Sequence, residues 1–355
     1  MSTVDCLMPL RKLHGFLYEK KEYNKLRRHY QRIFKENPNT VFLVMTPEHS
    51  NIGDHAIALS ETDLLDELGI KYIEITGDRL HEMKWQRRLS AMNGFPIVFS
   101  GGGYLGNLWK EDEDLLRDTM IANPKSLIII LPNTIYYSAD EEGKQDFVKS
   151  REIYNAHKKL FLYAREKKSF KLMRAAYNNV KLIPDMVLSR NPYKSEAERY
   201  GCLICLRHDR EQTRTDEEEK LIYSQMEELF PGNFTDTDMH SRTNIYISDR
   251  KKAVKEKMEQ FAHAELVITD RLHGMIFCAI TGTPCIVINS KSPKVAGCYE
   301  WIKNLDYIRF AENAASIKDE YNKIPKGENI YDHSKLDPYF DELRNDLIRL
   351  IKHKK

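Results

Sequence analysis

The alternation of hydrophobic and polar positions predicts a regular succession of strands and helices along most of the chain. In the first half, segments of helical spacing such as 54–68 separate short apolar segments at 41–46, 71–75, 96–100, 126–131, 160–163 and 180–183. In the second half, helices at 216–229, 250–262 and 272–281 accompany predicted strands at 202–206, 266–269 and 285–289. This alternation is typical of parallel sheets covered by helices on both faces. We therefore expect an α/β fold with two Rossmann-like, doubly wound domains.

Two features suggest how the chain is divided into domains. A length of 355 residues exceeds what one hydrophobic core usually supports. The polar segment 190–199 contains a proline and shows no periodicity, so it is the best linker candidate. The expected organisation is a basic helical arm at 1–40, an N-terminal Rossmann-like domain at 41–190, a C-terminal Rossmann-like domain at 195–330 and a closing helix at 331–355.

The N-terminal arm is locally basic. From Arg11 to Lys35 there are nine lysines and arginines against two acidic residues, interleaved with aromatic and aliphatic side chains. Two interpretations remain open. Either the helix packs on its own domain with a solvated basic face, or it rests on an anionic membrane surface near a lipid-linked acceptor.

Composition excludes several classes of protein. A formal charge of +2 gives no indication of bulk nucleic-acid binding, and no apolar run approaches the roughly 20 residues of a membrane span. The start of the sequence lacks the pattern of a signal peptide. The six cysteines are typical of reduced thiols, and Cys202 and Cys205 would point to opposite faces of one strand as core residues. We expect a cytoplasmic protein, either free or peripheral at the inner face of the membrane.

The segment 267–276 carries the strongest chemical pattern. A β-branched strand, a polar turn and an apolar helix follow one another there, and Arg271 and His273 lie at the first turn of that helix. Free backbone N–H groups and the helix dipole favour anions at this position. Arg207 and Lys294 are also predicted at carboxyl ends of strands in the same domain, where ligands of such sheets collect. Together they predict a cationic pocket for a small, doubly charged anion.

Two polar segments follow strands of the first domain. In the segment 50–55, Gly53 allows a tight turn or close backbone approach, and Asp54 could act as a base or only cap a helix. The triplet Gly101-Gly-Gly103 is expected where a strand meets a helix. There a ligand could touch the backbone, although simple turn geometry is the alternative.

With these motifs the sequence resembles the polysaccharide pyruvyl transferase family over residues 40–320. The resemblance is carried by Asn51-Ile-Gly-Asp54, Gly101-Gly-Gly-Tyr-Leu105, Ala164-Arg-Glu166 with Ser169, Pro184-Asp185, and Thr269-Asp-Arg-Leu-His-Gly274 with Lys294. The family often has Arg-Asp where this chain has Arg165-Glu166. The resemblance implies a GT-B-like fold whose two domains face a cleft. It also implies transfer from phosphoenolpyruvate to a sugar, with a pyruvate ketal as product.

The chemistry implied by the resemblance suits the residues found from the pattern. His273 would protonate the enol methylene, and Arg271 and Arg207 would bind phosphate and carboxylate. Asp54 would be the base for the acceptor hydroxyl. Further substrate contacts are expected from Arg165, Lys294, Asn51, Gly53, Gly102 and Gly103.

The donor would bind the C-terminal domain and the acceptor the N-terminal domain. The acceptor would be a sugar of a polysaccharide or of a lipid-linked precursor. No metal and no cofactor besides the donor phosphoenolpyruvate is expected, since arginines can neutralise the leaving phosphate. Two alternatives remain: a GT-B glycosyltransferase that uses a nucleotide sugar, and a non-catalytic scaffold for glycan assembly.

Overall fold

The computed structural model describes residues 10–196, 198–209, 211–289 and 294–353, with the side chains of 10–17 outside that description. The first nine residues of the expected arm, residues 290–293 and the last two residues of the expected closing helix therefore lie outside the described residues. Within the described chain, no helix is long and apolar enough to cross a membrane.

The first unit is built on a seven-stranded parallel sheet. Its strands are β1 (Thr40–Thr46), β2 (Lys71–Thr76), β3 (Ile97–Phe99), β4 (Gly102–Gly106), β5 (Ile128–Tyr136), β6 (Leu160–Ala164) and β7 (Val180–Leu182). Its helices are α1 (Leu10–Glu36), α2 (Ile52–Glu67), α3 (Gly77–Trp85), α4 (Lys110–Ala122), α5 (Glu141–Ala156) and α6 (Lys167–Ala176). The strand order is β2-β1-β3-β5-β6-β7, and β4 pairs with β5.

The second unit is built on a five-stranded parallel sheet in the order β12-β11-β10-β8-β9. Its strands are β8 (Cys202–Cys205), β9 (Phe234–Asp236), β10 (Leu266–Thr269), β11 (Cys285–Ile288) and β12 (Ile308–Ala311). Its helices are α7 (Asp216–Leu229), α8 (Arg250–Ala262), α9 (Leu272–Thr281), α10 (Lys294–Ile302) and α11 (Ile317–Asn322), and the chain ends with α12 (Asp337–Leu347).

The glycine triplet corrects one expectation from the sequence. Gly102 and Gly103 do not lead from a strand into a helix, because they open β4, and α4 begins only at Lys110. β3 pairs with the first half of β5, and β4 then pairs with its second half. At the triplet, the chain therefore passes from β3 to β4 within the same sheet, beyond the carboxyl end of β3.

The two units share one hydrophobic core. A single cluster of buried side chains includes Leu43 and Ile57 of the first unit and Val267 and Met275 of the second. The helix α12 returns to the first unit, where Tyr163 donates a hydrogen bond to Asp346 at 2.9 Å. Burial of apolar side chains from both units opposes separation of the units, so they are joined by this core at the base of the cleft between them.

The second half of α1 packs against the first unit. Tyr30 and Phe34 are buried, and their rings lie 4.6 Å and 5.0 Å from the ring of Phe42. Arg27 donates to the carbonyl of Ala91 at 2.7 Å. The opposite face of α1 is exposed and carries most of its described lysines and arginines.

The cysteines of β8 behave as the strand pattern predicts. Cys202 and Cys205 are buried free thiols that belong to separate core clusters, so they lie on opposite faces of the sheet. Burial raises the pKa of the Cys205 thiol to about 12. Both are therefore packing residues.

Candidate active site

A cavity of about 460 Å³ lies between the two units and is lined by residues of both. It is bounded by the loop after β1, the glycine triplet, the starts of α3 and α4, and the segments that follow β8 and β10. Nine of the residues expected from the sequence line it, namely Asn51, Asp54, Gly102, Gly103, Arg165, Arg207, Arg271, His273 and Lys294. Gly53 stands directly behind this lining, against His273.

The start of α2 shows that Asp54 is not the helix cap. Asn51 is the capping residue, because its side-chain oxygen accepts a hydrogen bond from the backbone N–H of Gly53 at 3.0 Å. The same amide donates to Asp54 Oδ2 at 2.8 Å. The side chain of Asp54 is 34% exposed and lines the cavity. Asp54 is therefore free to act on a ligand, while Asn51 orients it.

The turn between β10 and α9 positions Arg271 and His273. Thr269 Oγ1 accepts a hydrogen bond from the backbone N–H of Arg271 at 3.0 Å, which fixes the turn in place of a side-chain cap. Gly274 leaves room for this hydroxyl, since a Cβ there would lie 2.6 Å from Thr269 Oγ1. The helix α9 is buried along its whole length, so His273 has a rigid support.

His273 touches the opposite unit at Gly53. A Cβ built on Gly53 would lie 2.3 Å from His273 Nδ1 and 2.6 Å from Cγ. Only glycine allows the first turn of α2 to approach the imidazole this closely. The contact brings Asp54, the next residue in the chain, beside His273 from the other side of the cleft.

Asp185 links His273 to Arg165. Its carboxylate accepts a hydrogen bond from Arg165 Nη1 at 2.8 Å and lies 3.5 Å from His273 Nε2. Burial favours the neutral form of Asp185, but the positive charges of His273 and Arg165 prevail and hold its pKa well below its usual range. Asp185 therefore ties the position of His273 to that of Arg165.

The sequence analysis did not assign Asp185 a role. The signal was present, because Pro184-Asp185 follows the last strand of the first sheet and so stands at a carboxyl end. In the structure Asp185 is buried beneath the cavity lining, in contact with Arg165 and His273.

The cations of the second unit correct the expectation of a purely cationic pocket. Arg207 forms a two-pronged ion pair with Asp209, and Lys294 Nζ lies 2.6 Å from Glu211 Oε1. Arg271 contacts Asp209 at 2.8 Å and Asp238 at 2.9 Å. The sequence analysis missed these carboxylates, which balance much of the positive charge.

Three buried nitrogen atoms of cavity-lining residues nevertheless have no hydrogen-bond partner among the described residues. They are Arg207 Nη1, Arg271 Nε and His273 Nε2, and all three residues line the cavity. An unpaired buried donor costs roughly 1–3 kcal/mol. An anion that reached these nitrogens would therefore gain more binding free energy than a neutral ligand would.

The glycine triplet allows close packing at two points. A Cβ on Gly103 would lie 2.7 Å from Arg165 Nη2, so glycine leaves space for the guanidinium. Gly101 donates its backbone N–H to the buried Glu61, which also accepts from Ser100 Oγ at 2.7 Å. Burial raises the pKa of Glu61 to about 8.

The Arg165-Glu166 pair, where the family often has Arg-Asp, keeps a local function. Glu166 caps α6 by accepting hydrogen bonds from the backbone N–H groups of Lys168 and Ser169 at 2.6 Å and 2.8 Å. Aspartate and glutamate can both serve this purpose, so the departure leaves the position of Arg165 intact.

The part of the cavity formed by the first unit is acidic. Glu48, Asp78, Glu111 and Asp112 line it, together with the imidazoles of His49 and His81, and His240 of the second unit also lines the cavity. The sequence analysis did not single out these residues. Asp78 follows β2, so the rule that ligands collect at carboxyl ends of strands could have found it. In the described ranges, no group of three or more His, Cys, Asp or Glu side chains is placed to hold a metal ion.

Comparisons with known proteins agree with this geometry. Residues 51–292 match the family model described as polysaccharide pyruvyl transferase. General stress protein 30 of Bacillus subtilis is 34% identical over 284 residues, which are 77% of this chain and 80% of that protein. Pyruvyl transferase 1 of Schizosaccharomyces pombe is 28% identical over 286 residues, 74% of this chain and 69% of that protein.

A solved structure has the same fold. The protein KP1_0663 of Klebsiella pneumoniae covers 81% of this chain and 98% of its own length, with a TM-score of 0.54 and 19% sequence identity. The expected arrangement is confirmed, since two Rossmann-like units face one cleft in the GT-B-like manner.

Proposed function

This chain belongs to the polysaccharide pyruvyl transferase family, and from that membership we propose that phosphoenolpyruvate is its donor. The pyruvyl group would pass to two hydroxyls of one sugar, in a polysaccharide or a lipid-linked precursor, with a ketal and phosphate as products. The family supports a transferase that acts on a sugar. One observation carries the donor assignment, namely the three unpaired nitrogens of Arg207, Arg271 and His273 around a single cavity.

A small dianion suits this cluster better than a large donor does. Phosphoenolpyruvate presents a carboxylate and a phosphate, both of which match guanidinium groups. Arg271 and Arg207 would bind these groups, and the start of α9 would add backbone N–H groups. Lys294 and Arg165 lie near enough to Gly103 to close the same pocket, at 3.9 Å and 2.7 Å from its built Cβ. The nucleotide-sugar alternative gains no comparable support.

His273 would supply the proton. A ring N–H of its imidazolium would transfer its proton to the methylene carbon of the donor, and the neighbouring carbon would then bear the positive charge. Asp185 Oδ2 lies 3.5 Å from His273 Nε2 and would hold the ring in position. A positioned acid contributes typically 10²–10⁴-fold to the rate.

Asp54 would complete the reaction from the other unit. A sugar hydroxyl oxygen would bond to the charged carbon while its proton passes to Asp54 Oδ. The bond between that carbon and the phosphate oxygen would then break, with the electron pair leaving on phosphate. A second hydroxyl of the same sugar would add to the same carbon and close the ketal, while its proton passes to the departed phosphate. The arginines would neutralise the leaving phosphate without a further cofactor.

The test is to incubate the protein with phosphoenolpyruvate and a panel of sugar glycosides. We expect phosphate release that depends on the sugar, and a product whose mass equals the glycoside plus pyruvate minus water. His273→Gln should retain donor binding and lose turnover by about 10²–10⁴-fold. Weakened binding with intact turnover would make His273 a phosphate ligand instead of the acid.

Thermal shifts distinguish phosphoenolpyruvate from a nucleotide sugar as the donor. Phosphoenolpyruvate should raise the melting temperature, because a ligand that binds only the folded state stabilises it. Stabilisation by uridine diphosphate without any effect of phosphoenolpyruvate would overturn the proposed donor.

A further inference from the structure

The two ends of the cavity differ in how their carboxylates are paired. At the end formed by the second unit, Asp209 and Glu211 are each paired with an arginine or lysine. At the other end stand Glu48, Asp78, Glu111 and Asp112, which we call the acidic rim. In the part of the chain that the structure describes, none of these four forms an ion pair with lysine or arginine. The carboxylates of the rim are therefore not balanced by ion pairs of the kind seen at the other end.

A buried hydroxyl provides an independent sign of a ligand at this end. Thr46 lines the cavity just before the loop that carries Glu48, and its residue is fully buried. Thr46 Oγ1 has no hydrogen-bond partner among the described residues. A hydroxyl can both donate and accept, so its natural partner is another hydroxyl. An unpaired buried polar group of this kind favours a ligand that satisfies it.

The acidic rim adjoins the proposed base. Burial raises the pKa of Asp112, the imidazoles of His81 and His49 oppose that rise, and the carboxylate of Asp54 adds to it. Asp54 therefore lies close enough to the rim to influence its charge. A hydroxyl that reaches Asp54 must belong to a molecule seated against the rim, because the donor cluster occupies the other end.

Tyr104 and Trp109 add an aromatic wall between the two ends. Tyr104 is anchored by a hydrogen bond from its hydroxyl to the carbonyl of Ser100 at 2.6 Å. A sugar ring offers apolar C–H faces and a girdle of hydroxyls. Carboxylates accept hydrogen bonds from those hydroxyls, and aromatic faces contact the C–H groups.

We propose that the acidic rim, with Thr46, forms the acceptor subsite and selects a sugar ring that carries no negative charge. Neutral hexoses and amino sugars fit, whereas uronic acids and other anionic sugars are repelled. This inference rests on the proposed function, because only that function makes the bound sugar an acceptor. The selection by charge concerns sugar binding alone. Several like charges at short range, partly screened by water, correspond to roughly a tenfold difference in affinity at low salt.

The experiment measures binding separately from turnover. Methyl glycosides of galactose, glucose and mannose would be titrated against the protein by saturation-transfer NMR, each beside its uronic acid counterpart, with phosphoenolpyruvate omitted so that no turnover occurs. We expect at least one neutral glycoside to bind about tenfold more tightly than its uronide at low ionic strength, with a smaller ratio at high salt. Equal affinity, tighter uronide binding or no binding of any glycoside overturns the inference.

Charge-neutralising variants give the residue-level test. Asp78→Asn combined with Asp112→Asn should reduce the preference for the neutral glycoside severalfold, because both side chains lose charge and keep their size. The matched control is Glu217→Gln, an exposed carboxylate on α7 outside the cavity, which should leave the preference unchanged. Melting curves establish that each variant is folded. A preference that survives in the double variant places the selection elsewhere and refutes the role of the rim.

The two proposals fail in different ways. If the protein prefers neutral glycosides but releases no phosphate from phosphoenolpyruvate with any of them, the donor chemistry is wrong and the acceptor subsite stands. If phosphate is released with uronides as readily as with neutral sugars, the donor chemistry stands and the acceptor subsite is wrong.

Discussion

A methyl group on Gly53 tests how closely the two units must approach at the candidate site. In Gly53→Ala the new Cβ would lie 2.3 Å from His273 Nδ1, 2.6 Å from Cγ and 2.9 Å from its Cβ. Ordinary contacts between such atoms are about 3.5–4.0 Å, so the imidazole must retreat by about 1 Å or more. It is 8% exposed and has Asp185 on its other side, so no free space receives it.

The expected effect on turnover is large and the effect on stability is small. A displacement of about 1 Å at a reacting group costs on the order of 10²-fold in rate. Overpacking costs about 1–3 kcal/mol, while alanine is favoured over glycine in a helix by roughly 0.5–1 kcal/mol. We therefore expect a net loss of about 0–2 kcal/mol in the free energy of unfolding.

The assay compares sugar-dependent phosphate release at saturating phosphoenolpyruvate with urea unfolding of the same variant. Gly77→Ala is the control for stability, because Gly77 also begins a helix and a Cβ there meets nothing within 4 Å. The control should be neutral or slightly stabilised. If Gly53→Ala keeps wild-type turnover and stability, His273 is not held against α2, and the proposed acid and base do not meet as described.

Three further variants probe neighbouring contacts. Arg271→Lys should weaken phosphoenolpyruvate binding by roughly 1–3 kcal/mol in calorimetry, because lysine lacks the fork, and unchanged affinity would remove this residue from the donor site. Asp185→Asn leaves the buried Arg165 guanidinium without its charged partner, so urea unfolding should show a loss of about 3–5 kcal/mol, and a loss below 1 kcal/mol would contradict the pairing. Glu61 has a pKa raised from 4.5 to about 8, so the folded state holds a proton that the unfolded state releases. The free energy of unfolding should therefore fall as pH rises from 4.5 to 8 in the wild type but not in Glu61→Gln. Melting temperatures that change with pH in the same way in both proteins would refute this role of Glu61.

Local pattern in the sequence was enough to predict the elements that carry the site. The predicted helices at 216–229, 250–262 and 272–281 coincide with α7, α8 and α9. The period of the hydrophobic positions shows which side of a helix or strand is buried, and this period can be read from residues that are close together in the sequence. The sequence analysis missed α3, α11, β4 and β12, and it assigned the glycine triplet to the wrong junction. A run of glycines carries no periodicity, so its strand pairing depends on β5, a neighbour that comes later in the chain.

The grouping of candidate site residues followed from one topological rule. Because parallel strands place their carboxyl ends at one edge, residues after separate strands were expected to meet, and Arg207, Arg271 and Lys294 do line one cavity. The same rule applied to every strand would have reached Asp185 and Asp78. The rule locates residues at an edge, but it does not say which of them touch.

The sequence by itself determined the class of fold, the edge of each sheet where ligands collect, and the motifs at that edge. Only the tertiary structure decided that Gly53 meets His273, that Asp185 stands behind the imidazole, and that Asp209 and Glu211 balance the arginines. It also showed that the cations at one end of the cavity are paired with carboxylates, whereas none of the described lysines or arginines forms an ion pair with the acidic rim at the other end. The physical reason is the separation along the sequence of the residues that interact. Burial patterns are recorded in neighbouring residues, whereas charge pairing and steric contact depend on distances between segments far apart in the chain, which exist only after both sheets have packed on a shared core.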